Sequence, residues 1–277
     1  MAHALIAGCG DVGTRAGLLL AEAGWQVTGL RRAGVLPAPM QVHHADLTNP
    51  ASLTGLASDI DLLLYLPTPA SRDAAGYRAI FVDGLANLLA ALPRRPLRLV
   101  FVSSTAVYGE HHGAWADEDT PTRPLGFNGE ILLQAERALA ACGVPAVIAR
   151  LAGIYGPGRE WMLERVRQGA TCRPDAWTNR IHVGDAARLL VHVSQLAQPA
   201  PCYLGVDDLP AVECEVMEWL AQRMGVDPPQ HGPGAASMAL GNKRLSNARL
   251  RATGFTFQYP DFRCGYAGLT PPATSGD

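Results

Sequence analysis

The sequence predicts an α/β fold in which helices cover both faces of a parallel β-sheet. Through roughly the first two thirds of the chain, short apolar runs alternate with longer segments of helical periodicity, which is typical of strands buried on both faces. Of the 277 residues, 48% are apolar and only 17% are charged, so the chain can bury a full hydrophobic core. The composition therefore indicates a folded globular protein rather than a disordered one.

The predicted elements follow one another in a regular order. Strands are predicted at 3–8, 26–30, 40–44, 60–66, 97–103 and 145–151, and helices near 12–23, 50–57, 72–92 and 129–142. After about residue 152, Pro- and Gly-rich pieces separate short elements, which indicates a small C-terminal lobe. We therefore expect a sheet domain at 1–153 and 181–202, a lobe at 154–180 and 203–267, and a disordered tail at 268–277.

Charge and cysteine usage exclude several classes of protein. A net charge of −2 offers no overall basic surface for nucleic acid, and no apolar run reaches the roughly 18 residues of a membrane span. The N-terminus has no signal-peptide pattern. The six cysteines form no CxxC pair and no cluster at zinc spacing, so we expect reduced, packed thiols and no metal site. These features predict a cytoplasmic monomer or homodimer that binds a small molecule, with no nucleic-acid or membrane partner.

A glycine-rich turn follows the first predicted strand. Gly8, Gly10 and Gly13 have GxGxxG spacing between that strand and the first helix. Glycine permits a tight turn at the first position, close approach of a pyrophosphate at the second and close helix–strand packing at the third. Because strand, loop, helix and second strand come in this order, we interpret the turn as a dinucleotide-binding loop of a Rossmann-type doubly wound sheet. The alternative is a plain turn between a strand and a helix.

The end of the second predicted strand indicates which dinucleotide is bound. An acidic residue there would hold the ribose 2′-hydroxyl of NAD, but the chain has Arg31 and Arg32. A guanidinium suits a 2′-phosphate, so the sequence favours NADP over NAD; the alternative is two solvated arginines. Asp46, after the third strand, could accept a hydrogen bond from the adenine amino group. The predicted cofactor-binding residues are Gly8, Gly10, Asp11, Val12, Gly13, Arg31, Arg32, Asp46, Leu47 and Leu66.

Longer segments of the chain resemble the extended short-chain dehydrogenase/reductase family of NAD(P)-dependent epimerases, dehydratases and reductases. FVSSTAVYG (101–109) is similar to the family's fifth strand and its active-site serine or threonine. RLAGIYGPGR (150–159) is similar to the segment after its sixth strand, and NRIHVGDAARLL (179–190) to its return strand and helix. The resemblance implies a Rossmann domain with a small C-terminal substrate lobe. The GCGDVG and GLRR segments look like an atypical branch of the family.

The catalytic pair of that family is missing from the sequence. In the family, a tyrosine transfers a proton at the substrate oxygen, and a lysine four residues later lowers the tyrosine pKa. The resemblance places these positions at Asn128 and Leu132, and the chain's only lysine is Lys243. Ser104 is therefore the predicted catalytic residue, with a hydrogen bond to the reacting oxygen; an ordinary strand-end serine is the alternative.

Other polar residues near the predicted site have structural explanations. Glu130, in the first turn of a predicted helix, is placed where the helix dipole favours a negative charge. His182 and Asp185 are expected to belong to packing and to the rim of the substrate site, as the resemblance implies.

Two functions remain open from the sequence. The first is an NADP-dependent oxidoreductase or epimerase-like enzyme that acts on a small polar or sugar-nucleotide-like substrate through a non-standard active site. The second is a catalytically inactive sensor that binds NADP(H). The retained substrate-side segments favour the enzyme.

Overall fold

The computed structural model describes residues 1–232 and 241–270 of the chain. The strands in these ranges are β1 His3–Ala7, β2 Gln26–Arg31, β3 Gln41–His44, β4 Leu62–Tyr65, β5 Arg98–Ser104, β6 Trp115–Ala116, β7 Ala146–Leu151, β8 Gly153–Tyr155, β9 Trp177–Thr178, β10 Arg180–His182, β11 Cys202–Gly205, β12 Ala211–Val212 and β13 Arg244–Leu245. The α-helices are α1 Asp11–Glu22, α2 Ala74–Arg78, α3 Gly84–Ala91, α4 Phe127–Ala141, α5 Trp161–Arg167, α6 Val183–Gln195, α7 Glu213–Met224, α8 Ala248–Arg251 and α9 Phe262–Ala267. A π-helical turn at Ala79–Asp83 joins α2 to α3.

A seven-stranded sheet organises the N-terminal part of the chain. Its strand order is β11-β7-β5-β4-β1-β2-β3, and β1 pairs in parallel with both β2 and β4. The chain winds outward from β1 through β2 to β3 on one side, and from β4 through β5 to β7 on the other. Every residue of β1 and β4 is buried, as expected of central strands covered on both faces. The predicted doubly wound α/β fold is confirmed.

Two elements of the sheet domain differ from the sequence prediction. The helix predicted near 50–57 is wrong, because the structure has only a 3₁₀ turn at Pro50–Ser52 there. Gly55, with φ of +71°, reverses the chain shortly after this turn and prevents a longer helix. The sheet also gains a strand that was not predicted, β11, whose four residues are all buried. So short an apolar run has no readable periodicity.

The described chain divides into two compact units. Unit 1 comprises Met1–Val107, Gly126–Arg150 and Ala187–Tyr203, and unit 2 comprises Tyr108–Leu125, Leu151–Ala186 and the described residues after 203. The segments 108–125, 151–153 and 181–186 thus lie in unit 2, whereas the division from sequence grouped them with the sheet. Strand pairing explains the difference, because β6 pairs with β13 and β8 pairs with β10, both within unit 2.

Unit 2 has its own apolar core and a disulfide. Its core includes Leu163, Met217 and Phe262, all fully buried. Cys172 and Cys214 are joined by a disulfide with an S–S distance of 2.06 Å. The expectation of reduced thiols is therefore wrong for this pair. The two cysteines lie 42 residues apart, and their spacing gave no sign of the pairing.

Part of the predicted disordered tail is ordered. The predicted disordered tail began at 268, but the Thr270 hydroxyl donates to the Tyr266 carbonyl at 3.1 Å and its side chain is buried. The rest of that predicted tail, 271–277, lies outside the described residues, as does the part of the predicted lobe at 233–240. Among the helices of the described ranges, none is long and apolar enough to cross a membrane.

Candidate functional site

A cleft of about 670 Å³ opens in unit 1 at the carboxyl ends of the central strands. It is lined by Gly8, Cys9, Gly10, Leu30, Arg31, Arg32, Ala33, Ala45, Asp46, Leu47, Thr48, Pro67, Thr68, Ala70, Gly76, Ala79 and Ile80. Leu30 and Arg31 end β2, and the other residues follow β1, β2, β3 or β4 or belong to α2 and the π-helical turn. The cleft therefore lies where the strand order reverses, which is the ligand-binding position of open α/β sheets.

Gly8 and Gly10 shape the floor of this cleft in different ways. Gly8 has φ of +85°, and a Cβ on it would lie 2.3 Å from the Cα of Pro67, so the chain itself requires glycine there. A Cβ on Gly10 would meet no described atom within 4 Å. The space beside Gly10 is open to the cleft, and the backbone there is accessible to a ligand. This arrangement fits a pyrophosphate at the N-terminus of α1.

The arginine pair and Asp46 line the same cleft. Arg31 Nη1 donates to the Val35 carbonyl at 3.0 Å, and Arg32 is exposed. Asp46 Oδ1 accepts hydrogen bonds from the N–H and hydroxyl of Thr48, at 2.9 and 2.8 Å. These bonds, together with the nearby charge of Arg32, hold the pKa of Asp46 below its usual range. The cleft thus has two cations and one ionised carboxylate at the end that follows β2 and β3.

Four predicted cofactor residues stand behind or beside the cleft and do not line it. Gly13 lets α1 approach β1, since a Cβ there would lie 3.1 Å from Ile6 Cγ2. Val12 is buried. The N–H of Leu66 donates to the Ala7 carbonyl at 2.9 Å, and Asp11 pairs with Arg15 at 2.8 Å. These residues therefore contribute to the packing and backbone pairing around the turn and to helix α1.

The sequence interpretation missed several residues of the cleft. Pro67, Thr68 and Ala70 directly follow β4, and Gly76 lies in α2. Because the carboxyl ends of parallel strands meet at one edge of a sheet, the segment after the fourth predicted strand could have been included.

Ser104 is the last residue of β5 and is partly exposed. Ser104 Oγ accepts a hydrogen bond from the N–H of Ala106 at 3.1 Å. This bond uses a lone pair of the oxygen, so the hydroxyl hydrogen remains available for a second partner. The residue can therefore donate a hydrogen bond to a substrate oxygen.

A buried ion pair holds α4 against the sheet. Glu136 accepts from Ser103 Oγ at 2.6 Å and from Arg150 Nη2 at 2.7 Å and Nε at 3.1 Å. Both charged side chains are less than 10% exposed. The three residues come from α4, β5 and β7, so this network fixes the helix beside the strand that ends in Ser104.

The two positions of α4 at which the catalytic tyrosine and lysine are expected hold side chains that cannot perform their roles. Asn128, in the first turn of α4, is partly exposed and carries a neutral amide. Leu132, one turn later, is only 3% exposed and belongs to the apolar core. Lys243 lies in unit 2, where its ammonium donates to the Tyr108 carbonyl at 3.4 Å.

Comparison with known proteins places the chain in a family. The model of the NAD-dependent epimerase/dehydratase family matches residues 4–202. The chain belongs to that family. This confirms the resemblance seen in the sequence, and the match includes the glycine turn, both arginines and α4.

Family relatives of moderate identity cover nearly the whole chain. Protein YeeZ of Escherichia coli K12 is 30% identical over 274 residues, which is 94% of this chain and 97% of YeeZ. A solved protein from Methylobacillus flagellatus, assigned as an NAD-dependent epimerase/dehydratase, is 39% identical with a TM-score of 0.82, and the match covers 97% of each chain.

More distant family structures share the fold. The UDP-glucose 4-epimerase of Thermus thermophilus, solved in complex with NAD, is 21% identical with a TM-score of 0.80 and covers 95% of this chain and 96% of its own.

Unit 2 contains a second group of buried polar residues. Asp207 is 2% exposed, and its Oδ2 has no hydrogen-bond partner among the described residues; the same holds for Nη1 of the buried Arg180. His182 and Asp185 are also buried in this unit, and Asp185 accepts from the N–H groups of Gln258 and Tyr259 at 3.0 and 2.8 Å. Burial raises the pKa of Asp207 to about 8, against the opposing charge of Arg180.

The raised pKa of Asp207 makes the stability of the protein depend on pH. Between about pH 4 and pH 8 the folded chain keeps a proton that the unfolded chain releases, so stability falls as pH rises through this window. Asp207→Asn removes this loss, and we expect its melting temperature to exceed that of the wild type by several degrees at pH 8 and by much less at pH 5. Thermal unfolding at both pH values measures the difference.

Asp175→Asn, which changes an exposed carboxylate of unit 2, is the matched control. An equal effect of Asp207→Asn at both pH values would contradict the raised pKa.

Proposed function

We propose that the protein binds NADP(H) in the cleft of unit 1 and acts as an oxidoreductase or epimerase-like enzyme on a small polar or sugar-nucleotide-like substrate. The observation that carries the proposal is the position of Arg31 and Arg32. Both line the cleft at the end of β2, where an NAD-binding site of this fold has an acidic residue. A guanidinium binds a phosphate through charge-assisted and often paired hydrogen bonds, which the 2′-phosphate of NADP would supply.

Each part of the cleft has a role in this proposal. The first N–H groups of α1 have no acceptor within the helix, and they would hold the pyrophosphate beside Gly10. Asp46 has a carboxylate oxygen to accept a hydrogen bond from the adenine amino group, and its ionised form is favoured by Thr48. When bound, the nicotinamide supplies hydride transfer.

Ser104 would orient the substrate. Its hydroxyl hydrogen can reach a substrate oxygen while Ala106 keeps the side chain in place. Asn128 offers a neutral amide that can position a substrate but does not donate a proton at ordinary pH. The proton for the reaction would therefore come from a group other than tyrosine, or from water.

The arginine pair predicts a difference between the two dinucleotides. In Arg31→Ala/Arg32→Ala we expect the affinity for NADPH to fall by about 100-fold or more, because each of the two arginines loses a charge-assisted hydrogen bond to the 2′-phosphate worth about 1.5 to 3 kcal/mol. The affinity for NADH should change by no more than about threefold, since NADH lacks that phosphate. Isothermal titration calorimetry with both nucleotides measures the two affinities.

Arg137→Ala is the matched control for this experiment. Arg137 is an exposed arginine of α4, also in unit 1, and it does not line the cleft. Its replacement changes the net charge of the protein by one unit and should leave both affinities within about twofold. Tighter binding of NADH than of NADPH by the wild type would refute the role given to the arginine pair.

The absence of the Tyr/Lys pair favours a second candidate, an NADP(H) sensor without hydride chemistry. Oxidation of NADPH, followed across a panel of carbonyl compounds and sugar nucleotides, separates the two. Turnover that is lost in Ser104→Ala while NADPH affinity is kept supports the enzyme. Tight NADPH binding without turnover, together with a protein contact that depends on the cofactor, supports the sensor.

A further inference from the structure

Four side chains that can ligate a metal converge in unit 2. Cys172, Cys214, Glu218 and His231 each offer one ligand atom, and these atoms all lie within 4.8 Å of one another. The sulfurs of the two cysteines form the disulfide, and His231 Nε2 lies 2.6 Å from Glu218 Oε1. The cluster thus joins an oxidised pair of sulfurs to an exposed imidazole–carboxylate pair.

The fold brings the four residues together through backbone contacts. Cys214 and Glu218 are four residues apart on α7, which places them on the same face of that helix. The Cys172 N–H donates to the Gln230 carbonyl at 2.9 Å, and the Gly232 N–H donates to the Cys172 carbonyl at 2.9 Å. These two bonds hold His231 beside Cys172. The arrangement therefore depends on a helix and a short backbone pairing as well as on the disulfide.

We propose that these four residues bind a Zn²⁺ ion when the disulfide is reduced. Two thiolates, one imidazole and one carboxylate are ligands that zinc accepts, and four protein ligands complete its tetrahedral coordination. All four positions are then filled by the protein, so the ion stabilises the unit and has no open position for a substrate.

The distances are compatible with this site after small movements. With zinc–sulfur bonds of about 2.3 Å and zinc–nitrogen or zinc–oxygen bonds of about 2.0 to 2.1 Å, a tetrahedral site separates its sulfurs by about 3.8 Å and its nitrogen and oxygen by about 3.3 Å. The sulfurs must then move apart by less than about 2 Å from their bonded distance, and the imidazole and carboxylate by less than about 1 Å. Glu218 and His231 have side chains 45% and 56% exposed, so they can adjust without repacking the core.

The chemical step balances with an external dithiol. The dithiol gives two electrons and two protons to the Cys172–Cys214 disulfide and becomes a disulfide itself. Zn²⁺ then displaces the two thiol protons, and His231 binds as the neutral imidazole. In the oxidised chain, the disulfide links α7 to residue 172. In the reduced chain, the bound ion links α7, residue 172 and residue 231. Unit 2 is cross-linked in both redox states.

Metal titration of the full chain tests the proposal. The chain is first reduced with a water-soluble phosphine. The phosphine is then removed in the absence of oxygen, and the reduced chain is titrated with Co²⁺. We expect one equivalent to bind, with the visible absorption of tetrahedral cobalt and a near-ultraviolet thiolate-to-cobalt band, and Zn²⁺ to displace it. The oxidised chain should show neither band. A reduced chain that binds no stoichiometric metal, or an oxidised chain that binds it equally well, would overturn the proposal.

Single substitutions assign the ligands. Cys214→Ser and His231→Ala should each weaken Zn²⁺ binding by about tenfold or more, measured against a chromophoric chelator. His231 is exposed, so His231→Ala is expected to fold. It therefore still tests the four-ligand site if Cys214→Ser does not fold. Cys142→Ser and Cys264→Ser replace free cysteines outside the cluster and should leave the affinity within about twofold. Unchanged zinc affinity in His231→Ala would rule out the four-ligand site.

Discussion

Glu136→Gln is expected to lower the free energy of unfolding by about 3 to 5 kcal/mol. The substitution removes the negative partner of Arg150, whose side chain is 9% exposed and would keep its charge inside the protein. It also weakens the hydrogen bond from Ser103, which Glu136 accepts at 2.6 Å. Urea unfolding of the variant and the wild type measures the loss.

Two further variants sharpen this prediction. Glu130→Gln changes an exposed glutamate of the same helix and should alter stability by less than about 0.5 kcal/mol. Glu136→Leu combined with Arg150→Met removes both charges and should recover most of the lost stability, because an apolar pair of similar volume often replaces a buried ion pair at little cost. If the double variant is as unstable as Glu136→Gln, the loss comes from packing and not from the buried charge of Arg150.

Leu132→Lys is expected to destabilise the protein by about 3 kcal/mol or more. Leu132 packs in the core of unit 1 with 3% of its surface exposed, so an ammonium there must either lose its hydration or release its proton. Thermal unfolding measures the effect. Ala138→Lys places the same side chain at an exposed position of α4 and controls for the helix itself.

The outcome bears on whether the family's catalytic pair can be introduced into this chain. A strongly destabilised Leu132→Lys means that the core of unit 1 has been rebuilt around an apolar residue, so a lysine cannot simply be restored there. A melting temperature equal to that of the wild type would show that a cation at this position reaches solvent. Asn128→Tyr/Leu132→Lys would then test whether the pocket still supports the family's proton transfer.

The glycine turn could be predicted from sequence because most of its requirements are local. The positive φ of Gly8 belongs to the turn itself, and Gly13 packs against Ile6 in the preceding strand, whereas the contact of Gly8 with Pro67 could not be read from the spacing. The central strands were also readable, since burial on both faces produces continuous apolar runs.

Features that depend on distant partners were not predictable in the same way. Glu136 was recognisable as a helix residue, but its pairing with Arg150 requires α4 and β7 to be docked first. Cys172, Cys214, Glu218 and His231 come from one helix and two separate chain segments, so no spacing in the sequence indicates that they lie together. The helix predicted near 50–57 was wrong because only a 3₁₀ turn forms at Pro50–Ser52, and Gly55 beyond it has a positive φ that lies outside the helical region.

Gly8 and Gly10 differ in whether the fold itself requires a glycine. A methyl group at Gly8 would collide with the backbone of Pro67, so the fold alone can account for the glycine there. Gly10 has an ordinary φ of −86°, and no described atom would touch a Cβ on it, so the architecture of the chain imposes no such need. With the pyrophosphate beside Gly10 as proposed, a Gly10→Ala protein should therefore keep its native framework while excluding the nucleotide, and it would serve as an empty reference for measuring what the bound molecule does to the rest of the protein.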